Sequence, residues 1–313
     1  MYKKIIDKIE CYENIVIYRH VLPDYDAFGS QLGLYFALKE TYPNKNISVD
    51  GVFTSDLLEQ YATGFKRELP DFSQPVLGIV TDTANSGRID GESYLLCKEI
   101  IKIDHHEVVD SYGVINLEDP SASSCCQMIG HMIKENNHII KAPICSLNAI
   151  FLGVIGDSNR FMYRGTGVQT FEVASFLVEN GVEMEPLYNK MYMRQEKDLR
   201  VQGYILSNYQ TFGKVAYYIL RQDNLEELGI SREKGSDFVN CLAGIEQYNV
   251  WMAITQNVAD NNWRVSIRSR GVVVNEIAGL YNGGGHKFAS GAKLDTIDQL
   301  EGLLEKLEEQ ANV

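Results

Sequence analysis

Acidic and histidine side chains follow four short apolar runs of the sequence, and side chains of these types bind divalent cations. One run, at 101–103, is followed directly by Asp104, His105 and His106. The runs at 14–18, 76–80 and 149–155 are followed by five further candidates: His20, Asp24, Asp26, Asp82 and Asp157. Two carboxylates ~4 Å apart repel each other by roughly 4 kcal/mol at an effective dielectric constant near 20. If these side chains meet in the folded chain, cations must therefore lie among them.

Strands of a parallel sheet are the elements that would bring these side chains together. Apolar runs bounded by turn signals are typical of buried strands or buried helix segments. We predict strands at 15–18, 47–53, 75–82 and 98–104, and helices at 2–12, 29–40, 121–135 and 145–155. Strands that alternate with helices indicate a doubly wound, mostly parallel α/β fold. In such a fold the ligand site lies outside the carboxyl ends of the strands, where the four runs end.

Local spacing suggests how some of the candidates would point. Asp24 and Asp26 would face the same way if their segment is extended, although an ordinary acidic loop would have the same sequence. His105 and His106 are adjacent after a strand, so we expect them to face opposite sides, one towards a metal and the other towards a substrate. Asp104 could orient one of the rings as a hydrogen-bond acceptor.

The mixture of carboxylates and imidazoles, with no thiolate among them, favours manganese. Magnesium prefers oxygen ligands alone, and zinc favours sites richer in histidine or cysteine. Two divalent ions ~3.5–4 Å apart would offset the repulsion between the carboxylates and would acidify a bridging water. The candidates therefore predict a two-metal hydrolytic site.

Composition sets the class of protein. The chain has 313 residues, of which 45% are hydrophobic, which is enough for two domains with cores. A net charge of −13 argues against a protein that coats long nucleic acid, but it leaves room for a short anionic substrate. The six cysteines include no CxxC pair, so we expect reduced thiols. The first 14 residues read as an amphipathic helix and not as a signal peptide. No apolar run approaches the ~20 residues of a membrane span, and we predict a soluble cytoplasmic protein.

The second half of the sequence has a different pattern. We predict strands at 215–220, 250–256 and 263–269, helices at 236–245 and 297–310, and a loop at 283–286. The regular alternation of strands and helices is missing here, so a boundary is predicted within 185–210. The predicted organisation is a catalytic domain at 1–185, a helical linker at 186–210 and a smaller α/β domain at 211–313.

The motifs taken together resemble the DHH phosphoesterase superfamily with its DHH-associated C-terminal domain. The first part of the resemblance is carried by His20-x-x-x-Asp24-x-Asp26-x-x-Gly29-Ser30, Asp82, Asp104-His105-His106 and Asp157. The second part is carried by Gly283-Gly284-Gly285-His286-x-x-Ala289-x-Gly291. Within the superfamily, the chain is most similar to the bacterial group of nanoRNases and pAp phosphatases.

The resemblance implies a role for each candidate. One Mn²⁺ would be held by His20, Asp24 and Asp82. The other would be held by Asp26, Asp82, His105 and Asp157, so that Asp82 bridges the two ions. His106 would contact the scissile phosphate, with Asp104 beside it. A further phosphate of the substrate would be held by residues of the second domain: Arg268, Gly283, Gly284, Gly285 and His286. Glycine amides approach an anion closely, and arginine grips a phosphate with two hydrogen bonds, although a GGGH loop is more often a tight turn.

The implied activity is manganese-dependent hydrolysis of short oligoribonucleotides (nanoRNA), of linear dinucleotides such as pApA, and of 3'-phosphoadenosine-5'-phosphate (pAp) to mononucleotides. The reaction would be an in-line attack by a hydroxide that bridges the two metals. Mg²⁺ or Co²⁺ could replace Mn²⁺, and the resemblance suggests a homodimer. Long duplex nucleic acid and membranes are not expected as partners. Ser158 stands where threonine is common in the family, and Glu107 stands at a variable position. Neither difference removes a metal ligand, so they put only the substrate preference in question.

Three other functions remain open. A family II inorganic pyrophosphatase has a similar first domain, but its substrate loop is basic and lacks the GGGH sequence. A catalytically silent nucleotide sensor would bind without turnover, and the complete ligand set argues against it. A processive exonuclease would act on long single strands. The sequence does not rank pAp against pApA or short RNA, and it does not fix the direction of cleavage.

Overall fold

The structure of the protein is a computed structural model that describes residues 1–52, 65, 67–163 and 165–312. It divides into two compact units, Met1–Met193 and Arg194–Val313. The first unit ends inside the segment that was predicted to be a helical linker. That segment holds two helices, which are Met184–Tyr192 and Glu196–Asn208.

The first unit is built on a sheet of five parallel strands. They are β1 (Asn14–Tyr18), β2 (Asn46–Val49), β3 (Val76–Thr81), β4 (Glu99–Asp104) and β5 (Ile115–Glu118), in the spatial order β2-β1-β3-β4-β5. Its helices are α1 (Tyr2–Glu10), α2 (Tyr25–Thr41), α3 (Cys125–Glu135), α4 (Ile144–Asp157), α5 (Val168–Glu179) and α6 (Met184–Tyr192). The strands are rich in buried valine and isoleucine, as expected of a parallel sheet that is covered on both faces. The predicted α/β fold class is confirmed.

The strand order explains why distant parts of the sequence meet. β1, β3 and β4 are neighbours, with Ile17 opposite Ile79 and Ile79 opposite Ile101. Their carboxyl ends therefore lie side by side, and each leads directly into candidate residues of the site. β5 was not predicted, because its short sequence is only half-buried at every position.

α2 begins four residues earlier than predicted. The side chain of Asp24 caps it by accepting hydrogen bonds from two backbone amides, so the helix starts at Tyr25 and not near Ser30. α3 begins at Cys125, with Ser124 as its cap. β2 ends at Val49, short of the predicted end of the second strand, and Phe53 lies outside the described residues.

Two glycines allow α4 to pack closely against α2 and α3. A Cβ atom on Gly29 would lie 2.5 Å from the carbonyl oxygen of Ala149, and one on Gly153 would lie 2.2 Å from Sγ of Cys126. Neither distance is tolerated in a folded protein. The close packing brings the start of α2 and the end of α4 to the same edge of the sheet.

The second unit is built on a six-stranded mixed sheet. Its strands are β6 (Gln210–Phe212), β7 (Val215–Leu220), β8 (Val250–Asn257), β9 (Asn262–Ser269), β10 (Gly284–His286) and β11 (Ala289–Leu294), in the order β10-β11-β9-β8-β7-β6. Only β7 and β8 pair in parallel among these described strands. Its helices are α7 (Glu196–Asn208), α8 (Gln222–Leu228), α9 (Arg232–Asp237), α10 (Asn275–Gly279) and α11 (Gln299–Ala311).

Two expectations for the second unit are corrected. The predicted helix at 236–245 is wrong, since α9 ends at Asp237 and a single 3₁₀ turn follows at Val239–Leu242. The predicted loop at 283–286 contains the short strand β10, which pairs with β11. Helix α7 belongs to this unit because its Val201 and Ile205 are buried in the core beside Tyr218.

None of the helices within the described ranges combines the length and the apolar character that crossing a membrane requires.

Candidate metal centre

His20 lies just beyond the end of β1 and is buried, with 7% of its surface exposed. An antiparallel bridge to Ile89 fixes its backbone. Its Nδ1 lies 2.8 Å from the carbonyl oxygen of Val21. Because a carbonyl oxygen only accepts, Nδ1 keeps the proton of the neutral ring and Nε2 is the nitrogen that can bind a metal. Nε2 lies 3.3 Å from Asp82 Oδ2 and 3.9 Å from Asp24 Oδ1.

Asp24 and Asp26 stand at the start of α2 and are fixed by different amides. Oδ1 of Asp24 accepts from the N–H groups of Asp26 and Ala27, both at 3.0 Å. Asp26 is fully buried, and its two oxygens accept from the N–H groups of Cys125 at 2.6 Å and Cys126 at 2.8 Å. Those amides belong to the first turn of α3, whose positive end favours a carboxylate. The starts of two helices thus hold these carboxylates, and the expected extended segment is absent.

Asp82 follows β3 and lies between the histidines. Its backbone is left-handed, with φ of 51°, and its N–H donates to the carbonyl of Ile103 at 2.9 Å. Its Oδ2 lies 3.3 Å from Nε2 of His20, while Oδ1 lies 3.5 Å from Nε2 of His105 and 3.5 Å from Nδ1 of His106. The two oxygens therefore face different histidines, which is the geometry that a ligand shared by two cations requires.

His105 connects Asp82 to the end of α4. Its Nδ1 lies 3.3 Å from the carbonyl oxygen of Ala122, so Nε2 is again the metal-binding nitrogen. Nε2 lies 3.3 Å from Asp157 Oδ2, 3.5 Å from Asp82 Oδ1 and 3.7 Å from Asp26 Oδ2. One imidazole nitrogen therefore faces three carboxylates.

His106 lies beside His105, with the ring centroids 4.8 Å apart. Both rings approach the same oxygen of Asp82, so the two histidines do not face opposite sides as predicted. Nδ1 of His106 lies 2.7 Å from Asp104 Oδ1, which fixes the orientation of the ring. Oδ2 of Asp104 lies 3.3 Å from Nζ of Lys102, and both side chains are fully buried.

The described chain contains three groups of side chains that could each hold a metal ion. Within each group, the ligand atoms all lie within 4.8 Å of one another. The groups are His20 with Asp24 and Asp82; Asp26 with His105 and Asp157; and Asp82 with His105 and His106. The structure therefore brings together all of the candidate metal ligands. Oδ1 of Asp82 is buried, and among the described residues it accepts no hydrogen bond. A buried carboxylate oxygen of this kind is costly unless a cation compensates it, so the residues fit divalent ions.

The crowded charges shift the pKa values of the site. Burial and the charges of Asp82 and Asp157 raise the pKa of Asp26 well above its ordinary value. Desolvation and the charges of Asp157 and Asp82 raise the pKa of Asp24 to about 6, although part of its side chain is exposed. Burial opposes the ionisation of both Asp82 and His20, but their contacts outweigh it. Contacts with His105 and then with His20 lower the pKa of Asp82 well below its ordinary value, and the contact with Asp82 raises the pKa of His20 to about 9. Without cations, the site therefore retains protons.

Metal binding is expected to release protons and to strengthen as the pH rises. With a pKa of about 9, His20 is protonated at pH 7 in the metal-free protein, and a metal must displace that proton. The apparent affinity for Mn²⁺ should increase up to about tenfold per pH unit between pH 7 and 9 for this one proton. Calorimetric titrations in buffers of different ionisation enthalpy measure the release. The exposed His138 offers a control, since H138Q should release as many protons as the wild type, and binding without proton release would contradict the assignment of His20.

The metal-free protein should also lose stability over the same pH range. The pKa of His20 is higher in the folded protein than its unfolded value of about 6.5, so protonation of His20 stabilises the fold. This contribution to stability is fully present below pH 6.5. That contribution disappears as the pH rises through 9. Bound metal removes the dependence, because it occupies the nitrogen that would otherwise take the proton.

The groups that support the ligands were not predicted from the sequence. Lys102 donates from its buried Nζ to Glu118 Oε1 at 2.7 Å and to the carbonyls of Ala84 and Asp110. A lysine within an otherwise apolar strand was the available signal, because a buried ammonium requires partners. The amides of Cys125 and Cys126 left no signal, since any residue carries an N–H.

The candidate phosphate-binding residues of the second unit share one face of its sheet. Arg268 of β9 and His286 of β10 both lie opposite Ala289 of β11, so the three side chains project from the same face. The glycines differ in their surroundings. The N–H of Gly283 donates to the carbonyl of Ala278, and a Cβ there would lie 2.0 Å from the carbonyl oxygen of Gly291. A Cβ on Gly285 would also collide with β11, whereas Gly284 is exposed with nothing close to it.

Comparison with known proteins identifies two family domains. The DHH family, N-terminal domain, matches residues 14–154, and the DHHA1 domain matches residues 212–312. The chain is 34% identical to the bifunctional oligoribonuclease and PAP phosphatase NrnA of Bacillus subtilis (strain 168), with 98% of each chain covered. It is 33% identical to the probable bifunctional oligoribonuclease and PAP phosphatase NrnA of Streptococcus mutans serotype c (strain ATCC 700610 / UA159), with 98% of this chain and 97% of that protein covered.

A solved structure is also similar. The crystal structure of an exopolyphosphatase-related protein from Bacteroides fragilis aligns with a TM-score of 0.86 at 25% sequence identity, covering 98% of this chain and 95% of that one. The relatives match almost end to end, and both family models match in the expected order. The chain belongs to the DHH phosphoesterase superfamily, in the group that joins an N-terminal DHH domain to a C-terminal DHHA1 domain.

Proposed function

We propose that the chain is a manganese-dependent hydrolase of phosphoester bonds that acts on short oligoribonucleotides, on linear dinucleotides such as pApA, and on pAp. The observation that carries this proposal is the convergence of ligand atoms on the buried carboxylate of Asp82. The relatives from Bacillus subtilis and Streptococcus mutans are named as an oligoribonuclease and PAP phosphatase, which supports the choice of substrates.

Two ions would share the site. His20, Asp24 and Asp82 would hold one, and the second would be held by a set that also includes Asp82: Asp26, Asp82, His105 and Asp157. The ligand types favour Mn²⁺, with Mg²⁺ or Co²⁺ as substitutes. When bound, such ions supply a water acidic enough to attack near neutral pH and neutralise charge on the phosphate.

His106 is the residue that we place at the scissile phosphate. Asp104 accepts a hydrogen bond from its Nδ1, so the other ring nitrogen, Nε2, is the one that would meet the substrate. The ionised state of Asp104 is favoured because, although burial opposes it, the contact with His106 keeps the pKa of Asp104 below its ordinary value. A proton held on His106 would then stabilise the developing charge of the leaving oxygen.

The second unit would hold a further phosphate of the substrate. Arg268 and His286 share a sheet face, and their side chains are the cationic and hydrogen-bonding groups that suit this role. The amide of Gly283 donates to the carbonyl of Ala278, and Gly284 and Gly285 belong to the strand that pairs with β11. The side chains of Arg268 and His286 would therefore make the main contribution to the phosphate site.

R268A and H286A are expected to impair substrate capture. Each should raise KM by about tenfold or more and change kcat less, because the phosphate that they hold is not the one that reacts. Steady-state kinetics with pAp measures both constants. R264A is a matched control, since Arg264 lies on the same strand but is exposed and paired with Asp260. If both R268A and H286A left KM unchanged, the phosphate site would be misplaced.

One assay distinguishes the proposed function from its alternatives. It compares pAp, pApA, a 5-mer RNA, a 24-mer RNA and pyrophosphate with the Mn²⁺-supplemented protein. We expect turnover of the first three and little cleavage of the 24-mer, because the net charge of −13 repels a long polyanion. If pyrophosphate were the best substrate, the protein would be a pyrophosphatase. Efficient cleavage of the 24-mer would indicate a processive exonuclease, and binding without turnover would indicate a sensor.

Two further assignments belong to this proposal. All six cysteines are free thiols, which supports a reducing location, and we propose the cytoplasm. The resemblance to the family supports a homodimer, which sedimentation of the metal-loaded protein would test.

A further inference from the structure

The loop after Asp157 has an unusual backbone. Asn159, Arg160 and Phe161 are all left-handed, with φ of 45°, 61° and 66°. The buried Ser158 holds the loop: its Oγ accepts from the N–H of Phe161 at 3.0 Å, and its carbonyl accepts from Met162 at 2.8 Å. Left-handed residues other than glycine are costly, and they persist only where the surroundings fix them. The loop therefore directs the side chain of Arg160 to a defined place, three residues beyond a candidate metal ligand.

That place is the ring of Tyr192. The guanidinium carbon of Arg160 lies 4.8 Å from the ring centroid, within the range of a cation–π contact. The ring is itself held, since it stacks on Tyr188 at 5.9 Å with an interplanar angle of 28°, and its hydroxyl lies 3.4 Å from the carbonyl oxygen of Ile155. The guanidinium group of Arg160 thus rests on the ring of Tyr192, which in turn stacks on the ring of Tyr188.

Arg160 is also exposed, and it forms no ion pair within the described part of the chain. Instead its planar group rests on Tyr192, and the face turned away from the ring is open to a ligand.

We propose that Arg160, supported by Tyr192, is a stacking platform for a nucleobase of the substrate. The ligand class is a nucleoside unit, preferentially a purine because of its larger π surface. Nucleobases stack on guanidinium planes and on aromatic rings, and a plane that is already held loses little freedom on binding. This inference deepens the proposed function and rests on it for the identity of the substrate. It assigns base binding to the first unit, whereas the second unit holds phosphate.

The test compares pAp with an analogue that has no base, a tetrahydrofuran 3',5'-bisphosphate. R160A should raise KM for pAp by about tenfold, as the loss of one stacked base predicts, and should leave KM for the analogue unchanged. R160K should resemble R160A, because it keeps the charge but removes the plane. Y192F should behave as the wild type, since it keeps the ring, while Y192L should weaken pAp binding as R160A does. A phosphate-binding role would instead affect both substrates and would be rescued in R160K, and that result would overturn the platform.

Binding of adenosine separates this inference from the proposed function. Adenosine carries no phosphate, so its binding, followed by ligand-observed NMR, does not depend on any hydrolytic activity. We expect adenosine to bind the wild type and Y192F and to bind R160A and R160K about tenfold more weakly. If no phosphoester is hydrolysed but this pattern appears, the proposed function fails and the platform stands. Equal adenosine binding by all four proteins would overturn the platform whatever the substrates prove to be.

Discussion

Replacing Asp82 by alanine is expected to abolish turnover, with a loss of at least about a thousandfold in kcat for pAp. Its two oxygens face His20 on one side and His105 with His106 on the other, so no other carboxylate of the site can bridge the same groups. The variant should also lose one or both equivalents of Mn²⁺, which metal analysis after dialysis would measure.

The same substitution is expected to change the free energy of unfolding by only about 2 kcal/mol or less. Alanine removes favourable contacts with the histidines, but it also removes the repulsion that Asp82 exerts on Asp24 and Asp26. D82N is the companion variant, since asparagine tolerates the left-handed backbone at this position better than alanine does. D71A, in an exposed turn, is the control for activity. Full activity in D82A or D82N would end the two-metal scheme.

Gly153 to alanine is expected to damage both stability and the metal centre. The added Cβ would lie 2.2 Å from Sγ of Cys126 and 2.9 Å from Oδ1 of Asp26, and both neighbours belong to well-packed helices. Overpacking of this kind costs about 1–3 kcal/mol. Because the amide of Cys126 holds Asp26, movement of either residue should also weaken Mn²⁺ binding and reduce kcat.

Gly203 provides the matched control for that prediction. It lies inside α7, and a Cβ there meets nothing within 4 Å. G203A should therefore raise the unfolding free energy by up to about 1 kcal/mol, the usual gain in helix propensity. Thermal denaturation and metal titration of both variants make the comparison. A G153A protein with wild-type Tm and metal affinity would show that the helices are not locked at this point.

The candidate ligands and the strands that carry them were accessible from the sequence for a simple reason. An apolar run and the polar residue that ends it are adjacent in the chain, and parallel strands end at the same edge of a sheet. Asp82 and His105 needed no further information. The local backbone conformation was harder to predict from the sequence. Asp24 caps α2, and Asp26 is the second residue of that helix.

The features that could not be predicted from the sequence depend on contacts between residues that are far apart in the chain. The approach of Gly153 to Cys126 is invisible without the packing of α3 against α4. The stacking of Arg160 on Tyr192 is likewise a tertiary contact, and isolated arginines and tyrosines are common on any surface. The helix predicted at 236–245 failed because local periodicity does not show where a helix must stop to let the chain turn into a strand.

The start of α3 has a consequence for how the enzyme is made in the cell. Its amides hold the carboxyl group of Asp26, whose raised pKa lets it keep a proton, and Lys102 compensates the charge of Asp104, before any ion arrives. The polypeptide can thus leave the ribosome and fold first, and it can acquire its ions afterwards from whatever the cellular pool offers. The formation of active enzyme would then be limited by the supply of metal. Cells short of metal would accumulate folded, metal-free protein without activity.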